Sequence, residues 1–240
     1  MTTKPDKLAM TLADSPVLAR GTDPKDYRGK QNIDRDDVTL PRLAIAQKTN
    51  PQLEPDKPEY IEGLKLFELF NSLTKEKYGN GPLDFVIVRM DKRAMQFDAN
   101  ANVVDHDVPL NDPRLEWTTD ADGQKQKPEA TLFYEYIVIL VDSQMPAVLS
   151  LKGTGIKVAK KLNAFLQLAP GPAWAVKYRL TSGKGMSGTF SFGIYNIMPA
   201  GRADDELQGI AERAYEQLRG HRVNTDREAE DVSTDEAVPF

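Results

Sequence analysis

One change of hydrophobic period constrains this chain more than any other feature. Up to Leu151 its apolar residues come in strand-length runs, and the segment after Thr154 repeats instead at about 3.6 residues. The runs are rich in β-branched and aromatic residues, which suit a pleated surface. Leu83–Met90 is one, with Ala94–Asp98 expected as its partner across a short turn at Asp91–Arg93. Thr131–Val141 is the longest, and Pro146–Leu151 is expected to pair with it. Thr154 then stands where it can cap a helix running to about Leu168, which places Ile156, Ala159, Lys160, Asn163 and Leu166 on neighbouring turns. Pro170-Gly171-Pro172 ends the helix. Trp174–Thr181 and Met186–Ile197 read as two closing strands joined by Ser182-Gly183-Lys184-Gly185. Strand, strand, strand, helix, strand, strand is the order of an OB-fold barrel. The fold class read from it is mainly β: an OB-fold-like barrel with extra N-terminal strands, one inserted helix, a C-terminal helix and an acidic disordered tail. A generic β-sandwich carrying one helix is the alternative.

The extra strands are expected at Val38–Gln47 and Leu64–Asn71, separated by a connection containing Pro51, Pro55 and Pro58. Tyr78-Gly79-Asn80-Gly81-Pro82 reads as a turn, and residues 99–130 as a long exposed loop. Asp204–Arg219 suits a short helix with acids in its first turn, and Gly220 is a candidate stop. Four regions follow: a flexible arm over residues 1–37, an OB-fold domain over 38–203, a helix over 204–220 and a disordered acidic tail over 221–240. The chain has no cysteine, which excludes disulfides and thiolate metal sites. No apolar signal core opens it, and no stretch reaches the ~18 apolar residues of a membrane span. A cytoplasmic protein is expected, without a membrane role.

The net charge of −5 hides a division. From Ser143 to Arg202 there is no Asp or Glu, while Lys152, Lys157, Lys160, Lys161, Lys177, Arg179, Lys184 and Arg202 all fall there. Acids return with Asp204, Asp205 and Glu206 and dominate the tail. A cationic span and an acidic tail within one chain is the pattern of a polyanion-binding surface with its own internal competitor. The plain alternative is a solvated lysine-rich sheet and helix.

Catalytic chemistry finds little material. His106 and His221 are the only histidines. Asp105-x-Asp107 and Asp120-x-Asp122-Gly123 could offer carboxylates to a cation, but Thr131 stands where a calcium loop needs its distal Glu. Both clusters read as turns. The basic glycine-rich segments 152–157 and 183–188 lack phosphate-loop spacing. No enzyme, cofactor or metal is expected.

Binding has better material, because sequence-independent single-strand binders combine a cationic groove with aromatic rings for bases to stack on. Lys177 and Arg179 share one strand face, and Trp174, Val176, Tyr178 and Leu180 the opposite, core-side one. Phe190 and Phe192 share a face and are also expected in the core. The candidate DNA contacts are Lys177 and Arg179, Lys184 at the hairpin tip, Trp174 at a strand start, Lys152 before the helix, and Lys157, Lys160 and Lys161 along it.

The chain closes in Asp235-Glu236-Ala237-Val238-Pro239-Phe240. This tip resembles the acidic C-terminal peptide of bacterial single-stranded DNA-binding proteins, which ends in Ile-Pro-Phe. The resemblance implies that Val238, Pro239 and Phe240 dock in a basic-rimmed pocket on replication or repair proteins. Residues 36–165, from Asp36-Asp37-Val38-Thr39-Leu40-Pro41-Arg42-Leu43 through Phe70-Asn71-Ser72 to Ser150-Leu151-Lys152-Gly153-Thr154, resemble phage-encoded single-stranded DNA-binding proteins. That family implies an OB-fold, a role in phage replication or recombination, and the host cytoplasm as its setting. The expected function is therefore binding of single-stranded DNA with partner recruitment through the tip. A strand-annealing or mediator protein and a structural interaction module are the alternatives, and a homo-oligomer is compatible with either.

Overall fold

A computed structural model describes residues 39–99, 102–219 and 224–225. The expected arm, most of the acidic tail and the Val238–Phe240 tip lie outside the described residues. In chain order the elements are β1 (Thr39–Leu40), β2 (Arg42–Ile45), β3 (Leu69–Asn71), β4 (Lys77–Gly79), β5 (Leu83–Phe97), β6 (Val103–Asp105), β7 (Thr118–Thr119), β8 (Lys125–Gln126), β9 (Ala130–Leu140), β10 (Pro146–Leu151), α1 (Gly155–Leu168), β11 (Val176–Ser187), β12 (Phe190–Arg202), α2 (Asp205–Leu218) and β13 (Asn224–Thr225). Three short 3-10 turns, Pro51–Leu53, Pro113–Leu115 and Ala173–Ala175, complete them.

The main sheet runs β12-β11-β5-β9-β10-β2-β3-β4, with β6 pairing on β5. β5, β9 and β10 form an antiparallel meander, and after α1 the chain returns so that β11 pairs beside β5. A fourth strand lying beside the first is a Greek key, the arrangement of an OB barrel. β2 then adds parallel to β10, with Val148 opposite Arg42. The sheet curls into a half-barrel, and β12 arches back towards β2. Side chains make that junction: Gly193 donates its N–H to Gln47 Oε1 at 2.8 Å, Gln47 Nε2 donates to Gly193 O at 3.3 Å, and Tyr195 Oη donates to Leu43 O at 3.3 Å. Gly193 is required here, because a Cβ would collide with Ile45.

The apolar run Tyr136–Leu140 in β9 follows from burial on both faces. On the inner face Phe85, Ile87, Tyr136, Val138, Leu149, Tyr178 and Leu180 pack with Ala159 and Leu162 of α1. On the outer face Val86, Val88, Ile137, Ile139 and Val148 pack with Leu207 and Ala211 of α2. The Asp204 side chain caps α2 by accepting from Leu207 N at 2.8 Å. β13 pairs parallel to β1. No helix among the described residues is long and apolar enough to cross a membrane.

Several local expectations need correction. Leu83–Phe97 is one strand without a turn at Asp91–Arg93. Those charges are met sideways by β9: Arg93 pairs with Glu135 at 3.4 Å and Lys92 lies over the Tyr134 ring at 5.1 Å. Of the strand expected at Leu64–Asn71 only Leu69–Asn71 forms, because Phe67 is left-handed at φ 68° and turns pack Ile61 and Leu64 against Phe70. Thr154 precedes α1, but its side chain makes no capping bond. Residues 102–130, expected as a long exposed loop, are folded, with β6, a 3-10 turn and the β7–β8 hairpin.

Candidate nucleic-acid interface

The acid-free span folds into α1 and the β11–β12 hairpin. Lys157, Lys160 and Lys161 are exposed on α1, opposite buried Ala159 and Leu162. Lys161 Nζ lies 5.5 Å from the Phe165 ring centre. Lys152 is half-buried before α1, with Nζ 5.8 Å from the Phe133 ring centre.

Lys177 and Arg179 point away from Tyr178, which is fully buried as expected. Arg179 is engaged: its Nε and Nη2 donate to the two oxygens of Asp84, each at 2.8 Å. The Arg179 guanidinium holds the Asp84 carboxyl below its usual range. A phosphate contact by Arg179 would compete with this bidentate pair. Trp174 lies in the 3-10 turn rather than at a strand start, 5.3 Å from the Tyr215 ring and packed among the residues under α2.

The hairpin turn also moves. Ser187 is opposite Phe190, so the reversal occurs at Gly188-Thr189, and Lys184 lies within β11 opposite Gly193, exposed but not at the tip. Gly183 and Gly185 are strand positions that leave room above the sheet: a Cβ at Gly185 would lie 2.7 Å from Ile194 Cγ2 and 2.9 Å from Phe192 Cε2. Phe190 and Phe192 are not in the core. Phe190 is 57% exposed, and Met186, Ile194 and Met198 are exposed as well.

A cavity of about 130 Å³ opens between β2, β10, the start of α1 and β12. Arg42, Lys152, Ser150, Gln47, Phe133, Phe192 and Tyr195 are among its lining residues, and none of the lining residues is acidic. The first turn of α1, at Thr154 and Gly155, also faces it, adding backbone N–H dipoles to the cations. Of the candidates, the structure brings Lys152 and the α1 start to this cavity. Lys177 and Arg179 lie where β11 pairs with β5, and Trp174 lies under α2. Arg42 and Phe133 were not singled out from sequence, and Phe192 was expected in the core. Arg42 had one available signal, a cation within an otherwise apolar strand.

Three carboxylates of the 103–130 segment are occupied in turns. Asp105 is held below its usual pKa by the Asp107 N–H and then by Arg114, Asp112 by Arg114, and Asp120 by the Gln124 N–H and then by Gln126. Among the described residues no group of three His, Asp or Glu could hold a metal ion.

Over residues 9–224 the chain matches the family described as Pam3 phage gp34-like protein. No curated protein and no solved structure matches it.

Proposed function

The chain belongs to the Pam3 phage gp34-like protein family, and from that premise we propose that it binds single-stranded DNA during phage DNA replication or recombination, in the host cytoplasm. One observation carries the reading. A 60-residue span without a carboxylate, Ser143–Arg202, folds into a hairpin that exposes Phe190, Met186, Ile194 and Lys184 beside a cavity lined by Arg42 and Lys152. An exposed ring next to cations is what a single strand needs, since bases stack without regard to sequence while phosphates meet the charge. Lys157, Lys160 and Lys161 extend the positive field along α1. The Val238-Pro239-Phe240 tip recruits replication or repair proteins in this reading.

The test is fluorescence anisotropy of labelled oligo(dT) titrated with the full chain at several salt concentrations. Affinity should fall steeply with salt, with a log–log slope of about −0.7 per phosphate contacted. Absence of binding, or binding indifferent to salt, rejects the proposal. For the tail, a cut after Thr225 preserves the β1–β13 pair. Removing residues 226–240 should tighten DNA binding at low salt and abolish recruitment of partners. A truncated chain that binds no better and still recruits refutes the tail's role.

A further inference from the structure

The folded 103–130 segment presents Trp117, 53% exposed, beside an apolar pocket of about 230 Å³. Leu115, Pro128, Leu132 and Ile156 line that pocket, and Lys127 is the only charged residue in its lining. An exposed tryptophan over an apolar recess with one cation at the rim is a site for a flat heterocycle. Resting on the single-strand reading above, we propose that this pocket takes a nucleobase of the bound strand, stacked on Trp117 with its phosphate towards Lys127.

Three observations support this occupant. First, the pocket shares Thr154 with the cationic cavity, so the two openings adjoin across the Lys152-Gly153-Thr154 turn, and neither lining holds a carboxylate. Second, a third opening beside Lys127 is lined by Asp98 and Glu129 as well as by Lys127 and Lys152. Its two carboxylates offset its two lysines, so phosphate is less favoured there than at the first two openings, which directs the strand between those. Third, the turn that leads into the tryptophan is anchored. Arg114, three residues before Trp117, binds Asp112 at 2.9 Å, Asp105 at 3.0 Å and the Gln96 side chain of β5 at 2.6 Å. A base therefore meets a platform ordered in advance, which lowers the entropic cost of binding.

The chain has two tryptophans, and Trp174 packs on Tyr215, so intrinsic fluorescence isolates the site. Oligo(dT) should quench the full chain and its Trp174→Phe variant, and quenching should vanish in Trp117→Phe. An abasic strand of equal length should leave Trp174→Phe unquenched, a control that needs no change at Trp117. Trp117→Ala should bind labelled oligo(dT) about 5- to 150-fold more weakly, as expected for one lost stacking contact. If oligo(dT) binds but Trp117→Ala matches the parent, quenching persists in Trp117→Phe, or the abasic strand quenches equally, the pocket assignment is overturned while the DNA-binding function stands. If no oligo(dT) binds, both fall.

Discussion

The β5–β9 and β11–β12 pairs are both long antiparallel ladders with many large apolar side chains, and they use them oppositely. In β9 every residue from Phe133 to Leu140 is buried, because α1 covers one face and α2 the other. β12 is buried only where it still lies against the body, at Gly193 and Ile197, while Phe190, Ile194 and Met198 face solvent. The same residue types thus hold the fold together in one ladder and remain available to a ligand in the other. What packs over each position makes the difference, not the residue types themselves.

The largest contrast is between Phe85 and Phe190. Phe85→Ala should cost about 3–5 kcal/mol in urea denaturation, as for a fully buried ring. Next comes the junction between the ladders. Gln47→Ala leaves both backbone polar groups of buried Gly193 unpaired and should cost about 1–3 kcal/mol. It should also speed exchange of the Gly193 amide; an unchanged rate would mean that the β12 arch is held by something else.

A smaller effect is expected in acid. Asp105, Asp112 and Asp120 have folded pKa values below their ordinary ones. Their contribution is therefore present above the unfolded value of about 3.9 and is lost as pH falls through the folded values. The Trp117 segment should loosen below about pH 4 and be indifferent between pH 5 and 8. Trp117 emission in the Trp174→Phe background reads this, and a transition near neutrality would contradict it. Smallest is Phe190→Ala itself, which should change stability by less than about 0.5 kcal/mol while weakening oligo(dT) binding. Equal destabilisation by Phe85→Ala and Phe190→Ala would erase the contrast between the ladders.

Much of the fold was legible in the sequence. Ala130–Leu140, its partner Pro146–Leu151 and both helices stand close to where periodicity puts them, because each is long, regular and bounded by Pro, Gly or a capping acid. The misreadings share a non-local cause. Asp91-Lys92-Arg93 resembles a turn until Glu135 and Tyr134 are placed beside it. Ser182-Gly183-Lys184-Gly185 resembles a hairpin tip, but Gly185 is small because Phe192 and Ile194 lie over it. Lys152 and the cationic helix are visible in the sequence as part of the acid-free span, whereas Trp117 and Lys127 sit in an aperiodic polar segment tied to β5 by Arg114 reaching Gln96.

The pairing of Thr39 with Asn224 sets the two ends of the folded body side by side. A permuted gene could therefore join position 225 to position 39 through a short linker and open new termini at Gly188-Thr189, the exposed reversal between β11 and β12. Such a rearranged chain would keep the barrel and its Trp117 platform while freeing β12 from its hairpin partner at one end. Oligo(dT) binding by it would then separate what the closed hairpin contributes from what the rest of the body supplies.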